Sequence, residues 1–229
     1  MNDIHPQLLE KIHTYKMPKA AVELLTKHRP VLVAGVTAAG KETTVQAIHQ
    51  SGHGAKVVTH TTRHPRSGDR NGQDYWFVSD ARMLELVEEQ AFIEIKPVHA
   101  WAYGSSLAAY QTVVDEGQHP IMVIDVQGIE EIMQQVFNLK ASFILPPSFE
   151  IWMERLARRG EMSYVERQKR LQSARMELER ALNDEHFTLV VNHDVSQAAK
   201  EIMDGRTDAS TQHRNRELAQ QLIEHIRAY

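Results

Sequence analysis

The sequence predicts an α/β fold in which a mostly parallel sheet is covered by helices on both faces. Short apolar runs typical of buried strands recur along the chain, and segments with helical patterns separate them. Strands that alternate with helices pair in parallel, because each connection has to carry the chain back along the sheet. The polar segment 59–104 breaks this alternation, so we expect it to be an insertion.

The individual elements follow from the same patterns, taken in chain order. The first 29 residues are expected to be helical, with an apolar stripe that includes Leu8 and Ile12. Strands are expected at 31–34, from 57 onward, and at 92–95, 121–124, 141–145 and 189–191. Helices are expected after residue 41, at 81–90, 105–116 and 196–203, and over a long charged region at 149–183. Residues 205–215 are expected to be a linker before a final amphipathic helix containing Leu218, Leu222 and Ile226.

Composition excludes several classes of protein. Of the 229 residues 42% are hydrophobic, which is too many for a disordered chain, and no stretch reaches the roughly 18 apolar residues of a membrane span. The absence of cysteine excludes disulfides and thiolate metal sites, and the histidines lack a recognisable ligand spacing. A net charge of −4 and a beginning without a secretory signal lead us to expect a cytoplasmic protein that binds neither nucleic acid nor membrane.

A phosphate-binding loop is the clearest local motif. The segment Gly35-Val36-Thr37-Ala38-Ala39-Gly40-Lys41 matches G-x-x-x-x-G-K and stands between a predicted strand and a predicted helix. Small residues let backbone N–H groups turn toward phosphate oxygens, and the helix N-terminus adds partial positive charge. The pattern therefore predicts ATP binding on a P-loop NTPase-type sheet, with Lys41 reaching the β- and γ-phosphates.

The residue after this lysine departs from the motif. A Ser or Thr hydroxyl normally binds Mg²⁺ there, whereas this chain has Glu42, followed by Thr43 and Thr44. The Glu42 carboxylate is a hard oxygen ligand that suits Mg²⁺, or it points to solvent and leaves the ion to phosphates and water. Both interpretations stay open at this point.

Several further motifs occur in order along the chain. They are Thr61-Thr62-Arg63-His64-Pro65-Arg66-Ser67-Gly68-Asp69, Gly72-Gln73-Asp74-Tyr75, Phe92-Ile93-Glu94, Tyr103-Gly104-Ser105, Ile124-Asp125-Val126-Gln127-Gly128 and Leu145-Pro146-Pro147-Ser148, then Arg155, Arg159 and Arg170. Together with the phosphate loop they resemble the guanylate kinase family from about residue 31 to residue 203. The resemblance implies transfer of the terminal phosphoryl group of ATP, with Mg²⁺, to GMP.

The resemblance also implies a set of site residues. For GMP, Arg63 and Arg66 would hold the phosphate, Glu94 would read guanine with Ser105 as its hydroxyl partner, and the remaining positions are Thr59, Asp69, Tyr75, Tyr103 and Asp125. For ATP the implied residues are Gly35, Thr37, Ala38, Ala39, Gly40, Lys41, Glu42, Thr43 and Asn192. Lys41 and the lid arginines Arg155, Arg159 and Arg170 are implied to stabilise the transferring group.

Two departures from the family pattern bear on the metal. The family usually has Asp-x-Asp at the end of the central strand, and here the residues are Val123-Ile124-Asp125. Our hypothesis is that Glu42 replaces the oxygen ligand lost at Val123. These departures keep two alternatives open: a catalytically weak or inactive binding module on the same fold, and a related kinase for a phosphorylated small molecule.

The resemblance also predicts how the chain is divided. A core would comprise 30–58, 105–150 and 184–204, with a GMP-binding insertion at 59–104 and a lid at about 151–183. Residues 1–29 would form an N-terminal helical extension, and 205–229 a linker and C-terminal helix. We expect either a monomer or a homodimer.

Overall fold

The computed structural model describes residues 5–98, 100–158 and 163–229. Its helices are α1 (Pro6–Thr14), α2 (Lys19–His28), α3 (Lys41–Gln50), α4 (Asp80–Glu88), α5 (Leu107–Asp115), α6 (Val126–Gln135), α7 (Phe149–Ala157), α8 (Tyr164–Asn183), α9 (Val195–Asp204) and α10 (Ala209–Ala228). Its strands are β1 (Val31–Gly35), β2 (Ala55–Lys56), β3 (His60–Thr61), β4 (Trp76–Phe77), β5 (Phe92–Val98), β6 (Trp101–Ser106), β7 (Pro120–Val123), β8 (Lys140–Leu145) and β9 (Phe187–Val191).

The chain forms two compact units. We call the first the insertion unit; it comprises Met1–Pro30, Ala55–Met122 and Glu130–Asn138. We call the second the loop unit; it comprises Val31–Gly54, Val123–Ile129 and Leu139–Tyr229. Each unit has its own sheet pairings and its own buried side chains, so each is described by itself.

The loop unit contains the parallel sheet that the sequence predicts. Strand β8 pairs in parallel with β1 on one side and with β9 on the other. The strands are nearly continuous runs of buried apolar residues, as expected when helices cover both faces. Helices α7, α8, α9 and α10 each begin after a residue whose side chain caps the helix. The capping side chain accepts a hydrogen bond from the amide three residues further on; these residues are Ser148, Ser163, Asp194 and Asp208.

The insertion unit contains a separate mixed sheet in the strand order β4-β3-β6-β5. Strand β6 runs antiparallel to both β3 and β5, and β4 runs parallel to β3. In the same unit β2 and β7 form a short parallel pair. The first helix belongs to this unit: Leu8 and Ile12 of α1 are buried in an apolar cluster with side chains of α4, β5 and β6.

Several predicted boundaries need correction. The strand expected from residue 57 lies at Ala55–Lys56, and Val57 only donates its amide to Ile121. The helix expected from 105 begins at Leu107, because Ser106 caps it and the residues before it belong to β6. Asp208 caps α10, so most of the expected linker 205–215 is helical. In the described part of the chain, no helix is long and apolar enough to cross a membrane.

Candidate active site

The phosphate loop lies between β1 and α3 in the loop unit, as the sequence predicts. Gly35 ends β1 with φ 147°, Ala38 has φ 66°, and Gly40 has φ 103° at the N-cap of α3. A Cβ atom on Gly40 would lie 2.0 Å from the side-chain nitrogen of Asn192, so this glycine is required by space as well as by its φ angle. Since Gly40 has no side chain, it makes no side-chain cap on the first turn of α3.

The carbonyl groups of the loop are held by side chains. Lys41 Nζ donates to Gly35 O, and also to Val36 O at 3.2 Å. Trp152 Nε1 of α7 donates to Thr37 O at 2.7 Å. In a trans peptide the C=O and the following N–H point in opposite directions. Holding these carbonyls therefore also fixes the direction of the amides of Val36, Thr37 and Ala38, and fixed backbone amides are the groups with which such loops bind phosphate.

Arg155 and Asn192 meet at the same loop carbonyl. Arg155 Nη1 lies 3.2 Å from Ala39 O, and the buried Asn192 donates its side-chain N–H to that oxygen at 2.9 Å. Arg155 also donates to the backbone oxygen of Asn192 at 3.4 Å. The predicted lid arginine and the predicted ATP-side asparagine thus contact the phosphate loop directly. Sequence reasoning missed Trp152, whose hydrogen bond to Thr37 is made across a long sequence separation that no local pattern reveals.

The residues after Lys41 differ in their surroundings. Glu42 and Thr43 are exposed in the first turn of α3, whereas Thr44 is buried and donates to Gly40 O at 3.0 Å. The Thr44 hydroxyl is therefore bonded to the backbone at the first turn of α3. Among the described residues no three histidine, aspartate or glutamate side chains are grouped so as to hold a metal ion. Glu42 is the carboxylate that immediately follows Lys41 in the sequence.

A second carboxylate near Lys41 was not predicted. Glu177 of α8 is half-buried, and burial raises its pKa to about 7, while the charge of Lys41 lowers it and that of Asp125 raises it. Asp125 itself accepts from the amide of Gly128 at 2.6 Å and so caps α6. Glu177 stands in a charged helix sequence, where an exposed glutamate is the ordinary expectation, and only the packing of α8 distinguishes it from its neighbours.

The other lid arginines are placed differently. Arg170 of α8 forms an ion pair with Glu166 at 2.7 Å, and its Nε is buried without a hydrogen-bond partner among the described residues. Arg159 lies outside the described residues. Of the three predicted lid arginines, the structure therefore brings Arg155 to the phosphate loop.

In the insertion unit Arg63 is buried and held on several sides. It donates to Asp69 Oδ2 and to His64 O, both at 2.9 Å, and its guanidinium lies 5.2 Å from the ring centre of Tyr75. Burial alone would raise the pKa of Asp69, but the Arg66 amide, the Arg63 hydrogen bond and the charges of both arginines lower it below its usual value. Asp69 is therefore ionised and fixes Arg63, while the Arg66 side chain is exposed.

Two tyrosines extend this cluster. The rings of Tyr75 and Tyr103 are 5.8 Å apart at an interplanar angle of 70°. Lys56 Nζ lies 4.9 Å from the centre of the Tyr75 ring and donates to Asp74 O at 2.9 Å. The structure thus brings together three predicted residues, Arg63, Tyr75 and Tyr103. It adds Lys56, which sequence reasoning missed because no motif includes it.

Glu94 and Ser105 face each other across β5 and β6. They are register partners, and Glu94 Oε1 accepts the Ser105 amide at 3.0 Å. Both residues are buried, and Ser105 Oγ has no hydrogen-bond partner among the described residues. Side chains two apart on a strand share a face, so Ser105 lies on the same face of β6 as Tyr103. Thr59, also buried, precedes β3, whereas Asp125 belongs to the loop unit.

Comparison with known proteins places this geometry in a family. The family model described as guanylate kinase matches residues 27–206. A guanylate kinase of Schizosaccharomyces pombe is 35% identical over 187 residues, covering 80% of this chain and 92% of the relative. One of Leifsonia xyli subsp. xyli is 35% identical over 176 residues, covering 76% and 68%. The crystal structure of guanylate kinase from Anaplasma phagocytophilum, 27% identical, matches with a TM-score of 0.60 over 76% of this chain and 82% of that one. The chain belongs to the guanylate kinase family.

Proposed function

We propose that this protein is a guanylate kinase: it transfers the terminal phosphoryl group of ATP to GMP, giving ADP and GDP. The observation that carries the proposal is the buried pair of Glu94 and Ser105 on the face of β6 that also bears Tyr103. A base-reading carboxylate beside a phosphate-binding cluster suits a nucleoside monophosphate better than a sugar phosphate, and so favours GMP as the acceptor.

Glu94 supplies the selectivity for guanine. Guanine presents N–H donors at N1 and at its 2-amino group, whereas adenine presents an acceptor at N1. A buried carboxylate accepts from guanine but would face a lone pair of adenine, and buried polar groups left unpaired give discrimination of about 10⁴. One oxygen of Glu94 accepts from the Ser105 amide, which restricts the orientation of the carboxylate and supports this role.

The phosphate of GMP is assigned to the arginine and tyrosine cluster. Guanidinium groups match phosphate geometry through paired N–H donors. Asp69 holds Arg63 in place, and the exposed Arg66 completes the pair when GMP arrives. Tyr75 and Tyr103 add hydroxyl donors, and Thr59 and Asp125 are proposed as further nucleotide-side positions.

ATP is assigned to the phosphate loop. Its phosphates are assigned to the loop residues Gly35, Thr37, Ala38, Ala39, Gly40, Lys41, Glu42 and Thr43, with the Lys41 ammonium group as the cation, and Asn192 is assigned to the adenine side. Arg155, Arg159 and Arg170 are proposed to neutralise the charge that develops on the transferring group. Phosphoryl transfer depends on positioning and charge stabilisation, and one arginine so placed is worth about 10³–10⁵ in rate. The GMP phosphate is already an anionic nucleophile, so no general base is needed.

The residues present fit Mg²⁺ held mainly by nucleotide phosphates and water. Mg²⁺ typically takes one or two carboxylates together with substrate phosphates, and Glu42 is an exposed carboxylate in the turn that follows the loop. When bound, the ion would supply charge neutralisation at the phosphates. We propose Glu42 as its protein ligand. Glu42→Ser is expected to shift the Mg²⁺ dependence of the rate, and unchanged rates across a Mg²⁺ titration would contradict this role.

Further assignments belong to this proposal. We propose a GMP-binding insertion at 59–104 and a lid at about 151–183, as the resemblance implies. We also propose that the protein acts in the cytoplasm on ATP and GMP. It is proposed to work as a monomer or homodimer and without nucleic acid.

A coupled assay of ADP release tests the function. The protein is supplied with ATP and Mg²⁺ and with GMP, AMP, UMP or no acceptor. We expect ADP formation with GMP alone. Turnover without an acceptor, or equal turnover with AMP, would contradict the proposal, and GMP binding without turnover would point to the alternative of a binding module.

A further inference from the structure

Helix α1 packs against the strand that carries Glu94. Leu8 and Ile12 are buried against α4, β5 and β6, in a cluster that includes Phe92. This helix precedes the part of the chain that matches the guanylate kinase family model, residues 27–206. The packing therefore adds a contact to β5 that comes from outside the family domain.

Tyr15 follows α1 directly and binds the backbone of β5 twice. Its hydroxyl donates to Phe92 O at 2.6 Å and accepts from Phe92 N at 3.0 Å. Strand β5 is the edge of its sheet, so these two backbone groups have no further strand to pair with on the outer side. One phenol oxygen thus takes the place of a neighbouring strand at a single residue.

The residue that Tyr15 holds stands at an irregularity of the sheet. Phe92 pairs with Ser106 and Glu94 pairs with Ser105, so the register shifts by one residue between Phe92 and Glu94. Such a bulge bends the strand and changes the direction of the side chains beside it. The direction of the Glu94 carboxylate therefore depends on how the backbone is held at Phe92.

The Phe92 side chain provides a second route to the same site. Its ring packs edge-on against Tyr15 at 6.5 Å, and a Cβ atom on Gly104 would lie 2.8 Å from it. Gly104 stands between Tyr103 and Ser105 on β6. Phe92 therefore links Tyr15 to the strand segment that bears both of those residues.

The charge of Glu94 also acts on Tyr15. Burial raises the pKa of Tyr15 above its usual value, the hydrogen bond with Phe92 lowers it, and the charge of Glu94 raises it further. The two side chains are therefore electrostatically coupled, which agrees with the contacts through Phe92.

We propose that Tyr15 is a positioning residue for guanine recognition, acting through the backbone of Phe92 to orient the Glu94 carboxylate. This inference rests on the proposed role of Glu94. It assigns the N-terminal helix a function in acceptor selectivity, beyond its contribution to the apolar core.

The test compares Tyr15→Phe with the unchanged protein, using GMP and IMP as acceptors. The phenylalanine keeps the ring contact with Phe92 and removes only the hydroxyl. We expect the less firmly held carboxylate to raise the KM for GMP about five- to tenfold, with kcat and the KM for ATP within about twofold. IMP lacks the 2-amino group, so a misdirected carboxylate is expected to lower the preference for GMP over IMP by a similar factor.

Tyr110→Phe is the matched control, because the Tyr110 hydroxyl is buried in the same unit without a hydrogen-bond partner among the described residues. It is expected to leave the KM for GMP unchanged. In a Glu94→Gln background, Tyr15→Phe should have little further effect, since the group it positions has been altered. An unchanged KM and unchanged GMP preference in Tyr15→Phe, or a full effect in the Glu94→Gln background, would overturn the inference.

GMP affinity is also measured by equilibrium titration. If the protein binds GMP without turnover, the proposed kinase activity fails, and a weaker affinity in Tyr15→Phe still supports the positioning role. If GMP turnover is normal and Tyr15→Phe changes neither affinity nor KM, the kinase stands and the role of Tyr15 is rejected.

Discussion

The loop unit and the insertion unit build their ligand sites from different materials. In the loop unit the side chains of Lys41, Trp152 and Asn192 hold carbonyl groups, and we propose that backbone amides of the same loop bind phosphate. In the insertion unit we propose that the side chains themselves bind the ligand, and hydrogen bonds with their neighbours hold them, as Asp69 holds Arg63. The first site is therefore sensitive to changes of backbone shape, and the second to changes of side-chain chemistry.

A half-buried ionisable group in each unit shows a further difference. Glu177 of the loop unit has its pKa raised by burial, whereas His60 of the insertion unit has its pKa lowered by burial and by the charge of Arg82. Both shifts disfavour the charged form. Because one group is an acid and the other a base, their contributions to folding stability are expected to change with pH in opposite directions.

The largest effect is expected from Gly40→Ala. The new Cβ would lie 2.0 Å from the Asn192 side chain, and the alanine backbone would have to keep a φ of 103°. We therefore expect the loop to move and its amides to lose their alignment. Misplaced donors at a transferring group cost about 10²–10³ in kcat. The measurement is kcat with saturating GMP and ATP.

Gly52→Ala is the matched control for that change. Gly52 also has a positive φ, 75°, but nothing lies within 4 Å of the added Cβ. We expect a loss of stability of about 1 kcal/mol with kcat retained. Equal losses of kcat in both variants would show that backbone strain, rather than the shape of the phosphate loop, explains the effect.

The next effect is expected from Glu94→Gln in the insertion unit. The substitution keeps the size of the side chain but removes its charge and one acceptor oxygen. We expect kcat/KM for GMP to fall about 10²–10³-fold, with ATP affinity unchanged, because a buried acceptor is replaced by a donor. Glu88→Gln, at an exposed ion pair with Lys11, is the control and is expected to have no effect on kcat/KM. A fall in ATP affinity would contradict the assignment of Glu94 to GMP.

A smaller effect is expected from Glu177→Gln on stability. The pKa of Glu177 is about 7 in the folded chain and 4.5 as a free side chain, so the unfolded chain releases this proton first as the pH rises. The folded chain favours the protonated form of Glu177, so this group contributes fully to the free energy of unfolding below pH 4.5. That contribution is lost as the pH rises through about 7. We therefore expect Glu177→Gln to be more stable than the unchanged protein at pH 8, by on the order of 1–2 kcal/mol, and equal to it near pH 4. Urea unfolding of the ligand-free protein at the two pH values measures this, and a pH-independent difference would contradict it.

The smallest effect is expected at His60, in the opposite direction. Its pKa is about 4 in the folded chain and 6.5 as a free side chain, so stability is lost as the pH falls from 6.5 to about 4. His60→Phe keeps the ring contact with Phe92, 5.6 Å between centres, and removes the titration. Between pH 7 and pH 4 the free energy of unfolding of this variant is expected to fall by about 1 kcal/mol less than that of the unchanged protein. This figure allows for the partial solvent exposure of His60. Urea unfolding at pH 7 and pH 4 measures this difference, and an equal loss in the two proteins would contradict it.

The sequence predicted the loop unit more fully than the insertion unit. The phosphate loop is a contiguous segment, and the structure confirms that it lies between a strand and a helix. The sequence could predict this because each of these elements has a strong local pattern. In the insertion unit, β3 and β4 are each two residues long, and β6 includes residues that were assigned to a helix. Such short strands exist through their pairing partners, and the pairing of distant segments leaves no periodic pattern in the sequence.

The same reason explains which site residues were missed. Arg63, Glu94 and Ser105 stand in ordered motifs, so their types and spacing could be predicted. Lys56 and Glu177 belong to no motif. Each is distinguished only by the group that packing brings beside it: the Tyr75 ring for Lys56, and Lys41 with Asp125 for Glu177.

By itself the sequence determined the α/β class, the phosphate loop and the family, because these depend on local order and on motifs spaced along one chain. Only the tertiary structure decided that Trp152 and Asn192 hold the loop carbonyls and that Tyr15 holds the backbone of Phe92. Each of these is a hydrogen bond between segments far apart in sequence. Whether such a bond forms depends on how the elements pack, and a side chain's type alone does not determine that.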